Sequence, residues 1–379
     1  MVNIKRILHI SPTDIRYDSR ILKELKSLEQ LEDCNLLAYG INDNEGHQYE
    51  IDPISYIRSF DFFTKKLYSL PRFLQRTLFF LEAIIRLSIP AIRYRPHIIH
   101  CHDTLFLPIA LLIKFFCNSI LIYDAHELES NKAGQGKILS KSTLLIEKLI
   151  WKRIDLLISV SPSIINWYQN NLGIKENLLI LNSPQINSVN EVYVPINYLR
   201  ERYNIPEYCK IFIYIGIIAD GRGIDLCLNV FQSSEINSHI VFLGYGKDIK
   251  KVQEASSNFD NIHFHPSVKF DQVLGIAKSA DIGLVMIEEV SLSDYYCLPN
   301  KLFDFAFSNL YILASDFPDM KKIINDYDLG VCCSLNFEAF KQKIFEIEAQ
   351  KLYPTTKSLD SLSWEFQSKK IIDYYNIIK

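Results

Sequence analysis

A glycine-rich loop in the second half of the chain has the residue types of a phosphate site. In FIYIGIIADGRGID (212–225), an apolar run ends at Gly216, and a predicted helix begins at the end of the segment. Arg222 stands between Gly221 and Gly223 just before that helix. Backbone amides at the start of a helix, together with one cation, favour a bound phosphate. The same residues would also fit an ordinary turn that carries a surface arginine.

A second strand end contributes two more glycines. In VFLGYGKDI (241–249), Gly244 and Gly246 follow an apolar run, and no third glycine completes a dinucleotide fingerprint. The two glycines would allow the backbone to approach a ligand closely, or would simply form a tight turn. No intact G-x-G-x-x-G follows the first predicted strand either, which disfavours a nicotinamide dehydrogenase.

The densest group of candidate residues lies in YYCLPNKLFDFAFSNLYILASD (295–316). Pro299 and Asn300 precede a predicted helix, and Lys301 stands in its first turn. Free amides and an ammonium at that end of a helix favour a diphosphate. Asp304, one turn later, could accept hydrogen bonds from ribose hydroxyls. Alternatively, Asp304 would compensate the helix dipole and Lys301 would be a solvated charge.

In the first half of the chain, HCHD (100–103) and YDAHE (123–127) put polar residues at the carboxyl ends of two predicted parallel strands. Doubly wound sheets place their ligands at this edge. His126 could donate a hydrogen bond to a sugar hydroxyl or a phosphate. Asp103 could accept one from an acceptor hydroxyl.

Further candidates for contact with an acceptor lie near these strand ends and in the first loop. His102 and Glu127 belong to the two strand-end segments. The first loop and the start of the first predicted helix supply Asp14, Arg16, Asp18 and Arg20. These four residues could instead cap and neutralise that helix.

The histidines do not predict a metal centre. On a strand, His100 and His102 share a face and His97 does not, so the three imidazoles would not converge. No metal and no other cofactor is therefore expected.

These candidates need a framework of parallel strands, and the first half of the sequence supplies one. Short apolar runs alternate with amphipathic segments, which indicates a parallel sheet covered on both faces. Strands are predicted at Lys5–Ile10, Asn35–Tyr39, Ile98–Cys101, Ile120–Asp124 and Leu156–Val160. Helices are predicted at Ser19–Glu29, Leu105–Phe116, Ser140–Lys152 and Ser163–Asn171.

The alternation stops in a polar stretch broken by prolines and then begins again. Strands are predicted at Lys210–Ile215, His239–Leu243, Ile262–His265, Ile282–Met286, Tyr311–Ala314 and Gly330–Cys333. Helices are predicted at Ile224–Gln232, Phe270–Lys278, Lys301–Phe307 and Met320–Asn325, with a last one from about Leu359 to Ile378. We therefore expect an N-terminal domain over 1–185, a linker over 186–208, a second domain over 209–357 and a final helix over 358–379.

Composition limits the class of protein. The 379 residues carry a net charge of −3, which does not suit a protein that coats nucleic acid. Eight scattered cysteines without a C-x-x-C pair indicate reduced thiols in a cytoplasmic protein. The N-terminal apolar run is predicted to be a first strand rather than a signal peptide, and no run is long enough for a transmembrane helix.

One segment differs from the rest in charge. Residues 54–95 carry eight basic and two acidic side chains and are rich in aromatic and aliphatic ones. Such a segment suits peripheral contact with an anionic membrane. The alternative is two core-packed helices with solvated basic heads.

Eight segments, in this order, resemble the GT-B glycosyltransferases and, within them, the retaining glycosyltransferase family 4. They are DSRILKELKSL (18–28), HCHDTLFLP (100–108), LIYDAHELES (121–130), SVSPSI (159–164), IGIIADGRGID (215–225), LGYG (243–246), LPNKLFDF (298–305) and SWEFQSKKIIDYY (363–375). The resemblance covers nearly the whole chain. It implies an α/β fold of two Rossmann-like, doubly wound domains that face each other across a cleft. The second domain would bind the donor, and the final helix, with Trp364, would cross back to the first.

The resemblance also implies roles in donor binding. Arg222 would contact the donor diphosphate, and the loop at Pro299, Asn300 and Lys301 would lie beneath the phosphates. Asp304 matches the second acid of an E-x7-E motif, which usually holds the donor ribose.

His126 matches a histidine of the first domain that approaches the donor sugar. The sequence departs from the family pattern at two places: Tyr296 replaces the first acid of E-x7-E, and Gly216-Ile217 replaces a Gly-Arg pair.

The reaction implied is transfer of a sugar from a nucleoside diphosphate to an acceptor hydroxyl, with retention at the anomeric carbon and without a metal. The acceptor would be a saccharide or a lipid-linked saccharide, in the assembly of bacterial surface polysaccharide or lipopolysaccharide. Two alternatives stay open: a sugar-nucleotide epimerase of the same fold, and a non-catalytic lobe that binds a sugar nucleotide or a partner.

Overall fold

The computed structural model describes residues 4–42, 54–67, 70–185 and 193–378, with only the backbone at Lys66, Phe270 and Asp271. The chain divides into two compact units. The first comprises residues up to 180 and those from 368 onward, and the second comprises residues 181–367. Each unit is a parallel sheet covered by helices.

The sheet of the first unit contains seven strands within the described residues. They are β1 (Lys5–Ile10), β2 (Cys34–Ile41), β3 (Ile57–Phe60), β4 (Ile98–His102), β5 (Ile120–Ala125), β6 (Leu156–Ser159) and β7 (Asn177–Leu179). Their order is β3-β2-β1-β4-β5-β6-β7, and all are parallel. Strands β4, β5 and β6 are almost entirely buried, as expected of a sheet with helices on both faces.

Five helices connect these strands in the described part of the unit. They are α1 (Ser19–Leu28), α2 (Arg72–Tyr94), α3 (Leu107–Cys117), α4 (Lys137–Ile150) and α5 (Pro162–Leu172). Helix α4 begins three residues earlier than predicted, with Gly136 at its N-cap. The alternative of two core-packed helices in residues 54–95 is wrong, because α2 is one helix of 23 residues. It passes through Pro90, whose missing N–H removes only one hydrogen bond near the helix end.

The second unit has a six-stranded parallel sheet. Its strands are β8 (Ile211–Ile217), β9 (His239–Tyr245), β10 (Ile262–Pro266), β11 (Ile282–Val285), β12 (Tyr311–Ser315) and β13 (Gly330–Cys333), in the order β10-β9-β8-β11-β12-β13. The helices are α6 (Tyr198–Tyr203), α7 (Ile224–Phe231), α8 (Ile249–Asn258), α9 (Phe270–Ala277), α10 (Leu292–Tyr295), α11 (Asn300–Phe307), α12 (Pro318–Asp326) and α13 (Phe337–Ala349). A last helix, α14 (Trp364–Ile377), begins here and ends in the first unit.

Both sheets reverse their strand order at one point, between β1 and β4 in the first unit and between β8 and β11 in the second. Ligands of doubly wound proteins bind outside the carboxyl ends of the strands at such a point. All the predicted strands are present, which confirms the α/β fold class. The sequence patterns missed β3 and β7, which are short edge strands, and the helices α6, α8, α10 and α13.

None of the described helices has the length and apolar character needed to cross a membrane.

Candidate functional site

A buried polar cluster lies at the carboxyl edge of the first sheet. In the strand pairing, His9 is opposite His100 and His102 is opposite Asp124. Alternate residues of a strand share a face, so the imidazoles stack: the ring centres of His9 and His100 are 4.4 Å apart, and those of His100 and His102 are 4.5 Å apart. None of these four side chains is exposed to solvent.

Asp124 is the central charge of this cluster. Arg20 of α1 donates from Nη2 to both carboxylate oxygens of Asp124 at 3.1 Å, and its Nε lies 3.1 Å from Glu24. Burial opposes ionisation of Asp124, but Arg20 and His126 outweigh it and hold the pKa of that carboxyl well below its usual range. For Glu24, burial and the charge of Asp124 raise the pKa to about 8. Near neutral pH the cluster therefore holds one carboxylate and one protonated carboxyl beside a guanidinium.

Three imidazoles form a chain from this interior to the surface. Nε2 of His126 lies 3.1 Å from Nδ1 of His102, and Nε2 of His102 lies 3.0 Å from Nδ1 of His9. His126 Nε2 is also 3.4 Å from Asp124, and 19% of its side chain is exposed. Burial lowers the pKa of His126, but Asp124 and Asp103 outweigh it and raise that pKa to about 9. His126 is therefore a charged donor that reaches the surface at this edge.

Asp103 lies beside His126 in an unusual backbone conformation. Its φ is +60°, a left-handed value that is uncommon outside glycine. Its Oδ1 is buried and accepts no hydrogen bond within the described residues. His126 and Lys132 offset the effect of burial and lower the pKa of Asp103, whereas burial and the charge of Asp103 raise the pKa of Glu129 well above its usual value. This edge thus presents an anion next to a cationic imidazole.

The other candidates for acceptor contact have local partners. Asp14 accepts from Arg16 at 2.6 and 2.9 Å, and Asp18 caps α1 by accepting from two of its amides. Arg20 and His102 lie in the interior, 3% and 0% exposed. These contacts agree with the alternative interpretation, in which residues of the first loop cap and neutralise helix α1. The acceptor roles of these residues and of Glu127, which is exposed 3.9 Å from Lys132, remain predictions.

Two groups of side chains in the described part of the chain have the spacing of metal ligands. One atom from each residue lies within 4.8 Å of the others in the set His9, Glu24, His100 and His102, and in the set His102, Asp124 and His126. Ring nitrogens of His9, His102 and His126 in these sets already lie within hydrogen-bond distance of one another. We therefore describe them as a proton-sharing network.

Sequence analysis did not name His9, Glu24 or Tyr375, and it did not single out Asp124 within the segment YDAHE. The hydroxyl of Tyr375 on α14 lies 2.8 Å from Nδ1 of His100, although 275 residues separate them. Nothing in the sequence signals such a contact. The Arg20 and Glu24 spacing of four residues was a visible signal, since residues so placed are neighbours on a helix.

In the second unit, the loops after β8 and β11 meet at the reversal of strand order. The amide of Glu288 donates to Gly221 O at 3.0 Å, and its carboxylate accepts from the amide of Gly223 at 3.1 Å. A Cβ on Gly223 would lie 2.7 Å from Cβ of Met286, and its φ is +67°. Glycine is thus required for the two loops to pack together. Glu288 was not among the predicted site residues.

These loops hold two cations near each other. The ammonium of Lys301 lies 4.2 Å above the ring of Tyr214. Burial and the nearby charge of Arg222 lower the pKa of Lys301 to about 7. Nη1 of Arg222 is 3.9 Å from Asp294, a carboxylate that the sequence analysis did not single out. A diphosphate bound beside Arg222 and Lys301 would neutralise the guanidinium and favour the charged form of the lysine.

Two helix starts face the same edge. Helix α7 begins after Gly223 and α11 after Pro299, and neither N-cap residue makes a side-chain capping bond. Asn300 is the exposed first residue of α11, and Asp304 is half-buried one turn after Lys301. Tyr296, where an acid was expected, ends α10, with its ring 5.5 Å from that of Tyr295.

Gly216, Gly244 and Gly246 have a clear structural role. Gly216 and Gly244 are paired across β8 and β9, and a Cβ on Gly244 would lie 1.9 Å from Gly216 O. A Cβ on Gly246, at φ +146°, would lie 2.2 Å from Ile218 O. These glycines allow the two strand ends to close on each other. Their contact with a donor remains a prediction.

Comparison with known proteins identifies the fold. No family model matches the chain. A curated glycosyltransferase of Methanocaldococcus jannaschii, described as uncharacterized, is 22% identical over 144 residues, which is 36% of each protein. The chain thus aligns with about a third of the length of that relative.

Solved structures match over almost the whole chain. Sucrose-phosphate synthase from Thermosynechococcus elongatus superposes with a TM-score of 0.77 at 14% identity, covering 98% of both chains. A glycosyltransferase from Rickettsia africae gives 0.70 at 13% identity, covering 99% of both. HepE from Anabaena, in complex with UDP, gives 0.71 at 11% identity, covering 98% of this chain and 99% of that one. The chain therefore has the fold of the GT-B glycosyltransferases.

Proposed function

We propose that the protein is a glycosyltransferase whose second unit binds a nucleoside diphosphate sugar. The observation that carries this proposal is the proximity of Arg222 to Lys301 beside the starts of α7 and α11, whose N-cap residues make no side-chain capping bond. All four features lie where the strand order reverses, between β8 and β11. This edge supplies a guanidinium, a lysine whose charge a bound anion would favour, and the amides of two helix starts, which are the groups that recognise a diphosphate.

The same groups suit the chemistry of transfer. The barrier to breaking a glycosyl phosphate bond is largely the charge that develops on the leaving diphosphate. Preorganised cations and amides stabilise that charge without reorganising during the reaction. Because they serve this purpose, we propose that transfer needs no metal ion. Asp304, half-buried on α11, is proposed to hold the donor ribose.

On the first unit, His126 and Asp103 are proposed to act on the sugar and the acceptor. His126, charged and partly exposed, would donate to the donor sugar or its phosphate. Asp103, whose buried Oδ1 accepts no hydrogen bond from the described residues, would accept one from the acceptor hydroxyl. We further propose retention at the anomeric carbon by front-face displacement, which rests on the resemblance to glycosyltransferase family 4.

UDP is the first nucleotide to test. HepE from Anabaena was solved with UDP, with UDP and glucose, and with UDP-glucose, and its fold matches this chain. The acceptor is proposed to be a saccharide or lipid-linked saccharide of bacterial surface polysaccharide or lipopolysaccharide, handled at the cytoplasmic face of a membrane.

Residues 54–95 are proposed to contact that membrane. Helix α2 exposes Leu81, Ile85 and Ile89 along one stripe, between 47% and 60% exposed. Four arginines of the same helix are also exposed: Arg72, Arg76, Arg86 and Arg93. Apolar and basic side chains together suit an anionic bilayer surface.

The test is calorimetric binding of UDP, GDP, ADP and CMP, with Mg²⁺ and with EDTA. We expect one nucleoside diphosphate to bind equally well in both. Arg222→Ala should weaken that binding, and Lys322→Ala, an exposed lysine on α12, should not. If none of the four nucleotides bound, the donor-binding claim would be withdrawn. Binding that required Mg²⁺ would refute only the proposal that no metal is needed, and the donor-binding proposal would stand.

A further inference from the structure

Helix α4 exposes a row of large apolar side chains. Ile138 is 85% exposed, Leu145 56% and Leu149 72%. Their spacing of seven and four residues places them on one face of the helix. Scattered exposed leucines are ordinary. An aligned row on a single helix, however, forms an apolar surface whose exposure to water is unfavourable.

The neighbouring helix extends this surface. Helix α3 packs against α4 and ends with Phe115 and Phe116, which are 81% and 62% exposed. Their rings meet edge to face, with centres 5.5 Å apart. We call this set of residues, Phe115, Phe116, Ile138, Leu145 and Leu149, the α3–α4 face. It lies outside the segment 54–95 that the sequence singled out.

The exposed charges on α4 and the residues just after it have one sign. Residues 137–153 carry five basic side chains, all exposed: Lys137, Lys141, Lys148, Lys152 and Arg153. The one acid in this segment, Glu147, is 0% exposed.

Glu147 is turned into the interior by specific hydrogen bonds. Its Oε1 accepts from Thr104 at 3.0 Å, from Tyr123 at 2.8 Å and from Tyr168 at 2.7 Å. The acidic side chain of α4 is therefore removed from its surface, and the charged side chains on its exposed side are all lysines.

We propose that the α3–α4 face lies on an anionic membrane surface as an interfacial docking site. The apolar side chains would enter the boundary between headgroups and acyl chains, and the lysines would remain at the phosphates. Charge complementarity selects this occupant. A second copy of the chain would bring two strongly basic faces together, and like charges across an interface oppose association.

The docking site is joined to the polar edge of the first sheet. The segment that leads from His126 to α4 contains Glu129, which is paired with Lys132 at 2.6 Å. Ser140 in the first turn of α4 then donates to Ser130 O at 2.5 Å. Docking through α4 thus brings the edge with His126 near the bilayer. If the proposed function holds, the acceptor is a lipid-linked molecule rather than a free saccharide.

Vesicle binding by the full chain tests this proposal. Vesicles of phosphatidylcholine with phosphatidylglycerol are compared with vesicles of phosphatidylcholine alone. Lys141→Gln with Lys148→Gln should lower the partition coefficient on anionic vesicles by about 30-fold, from about 1 kcal/mol for each lysine near such a surface. Leu145→Ser with Leu149→Ser should lower it roughly tenfold or more.

Matched variants outside the α3–α4 face serve as controls. Ile174→Ser removes a side chain that is 91% exposed after α5, and Lys26→Gln with Lys250→Gln removes two exposed lysines on other helices. These controls should bind vesicles as the wild type does. Circular dichroism would establish that every variant is folded.

Two results would overturn the proposal. One is equal vesicle binding by the wild type and the α4 variants. The other is sedimentation showing that the wild type is a dimer and that Leu145→Ser with Leu149→Ser makes it a monomer, because the face would then join two copies. Nucleotide calorimetry on the same samples separates this inference from the proposed function. Vesicle binding that depends on α4, in a protein that binds no nucleotide, would support the docking site and reject the donor site.

Discussion

Nε2 of His126 lies 3.4 Å from the Asp124 carboxylate, which also accepts from Nη2 of Arg20 at 3.1 Å. The imidazole is partly exposed, whereas Asp124 is fully buried. Asp124 therefore links a residue at the surface of the polar edge to an ion pair in the interior. The charge and orientation of His126 depend on this link, as those of a histidine depend on the partner of its ring nitrogen.

Replacing Asp124 by asparagine should lower the pKa of His126 from about 9 to below the usual histidine value, because burial would then prevail over the remaining attraction of Asp103. NMR titration of the His126 ring reports this directly. Asp14→Asn, which removes a carboxylate from the first loop, is the control and should leave the pKa of His126 unchanged. An unchanged His126 pKa in Asp124→Asn would contradict the link.

The stability of the first unit should fall as pH rises from about 6 to about 9. The folded pKa of His126, about 9, lies above its unfolded value, so its contribution is complete below the unfolded pKa and is lost as pH rises through 9. The folded pKa of Glu24, about 8, also lies above its unfolded value. The stability that protonated Glu24 contributes is therefore lost as the pH rises to about 8. Thermal unfolding in a series of buffers would show it. His126→Gln should flatten the upper part of the curve, and a wild-type melting temperature that did not fall over this range would contradict the prediction.

Arg20→Met should destabilise the first unit by about 3–5 kcal/mol, because it leaves a buried carboxylate without its cation. Urea unfolding monitored by calorimetry or circular dichroism would measure the loss. Lys322→Met provides the matched control, since its pair with Asp326 is at the surface and its removal should have no measurable effect. Similar stabilities for the two variants would show that the Arg20 pair contributes no more than a surface pair.

Binding of UDP should be accompanied by proton uptake near pH 8. Lys301 has a pKa of about 7 in the free protein, so most molecules carry it uncharged at that pH. A diphosphate beside it would favour the ammonium form and raise its pKa. Calorimetry in two buffers with different ionisation enthalpies counts the protons taken up. Lys301→Met should remove this proton uptake. Equal uptake in that variant would show that another group takes up the proton.

Gly246→Ala should destabilise the second unit by at least about 2 kcal/mol, through overpacking and a strained φ. Its Cβ would lie 2.2 Å from the Ile218 carbonyl at φ +146°. Gly136→Ala is the control, because nothing lies within 4 Å of its added Cβ. Thermal unfolding distinguishes the two. Equal midpoints would mean that the loop after β8 can shift to accommodate a methyl group.

Local patterns in the sequence predicted most of the strands and helices and their order. The strands Lys5–Ile10 and Gly330–Cys333 have the predicted bounds, because short runs of apolar residues mark strands that pack against helices. His126, Asp103, Arg222 and Lys301 were chosen as candidates because strand ends and helix starts can be recognised from local patterns, and their roles remain predictions.

Only the tertiary structure decided which of these residues share an environment. The sheet order brings His9 beside His100, and α14 brings Tyr375 to the same imidazole, across separations that no local pattern records. Burial likewise made Arg20 an interior ion-pair partner and left α4 with an exposed apolar row. Charge state and exposure depend on the neighbours that folding provides, and these are fixed by packing between elements distant in the sequence.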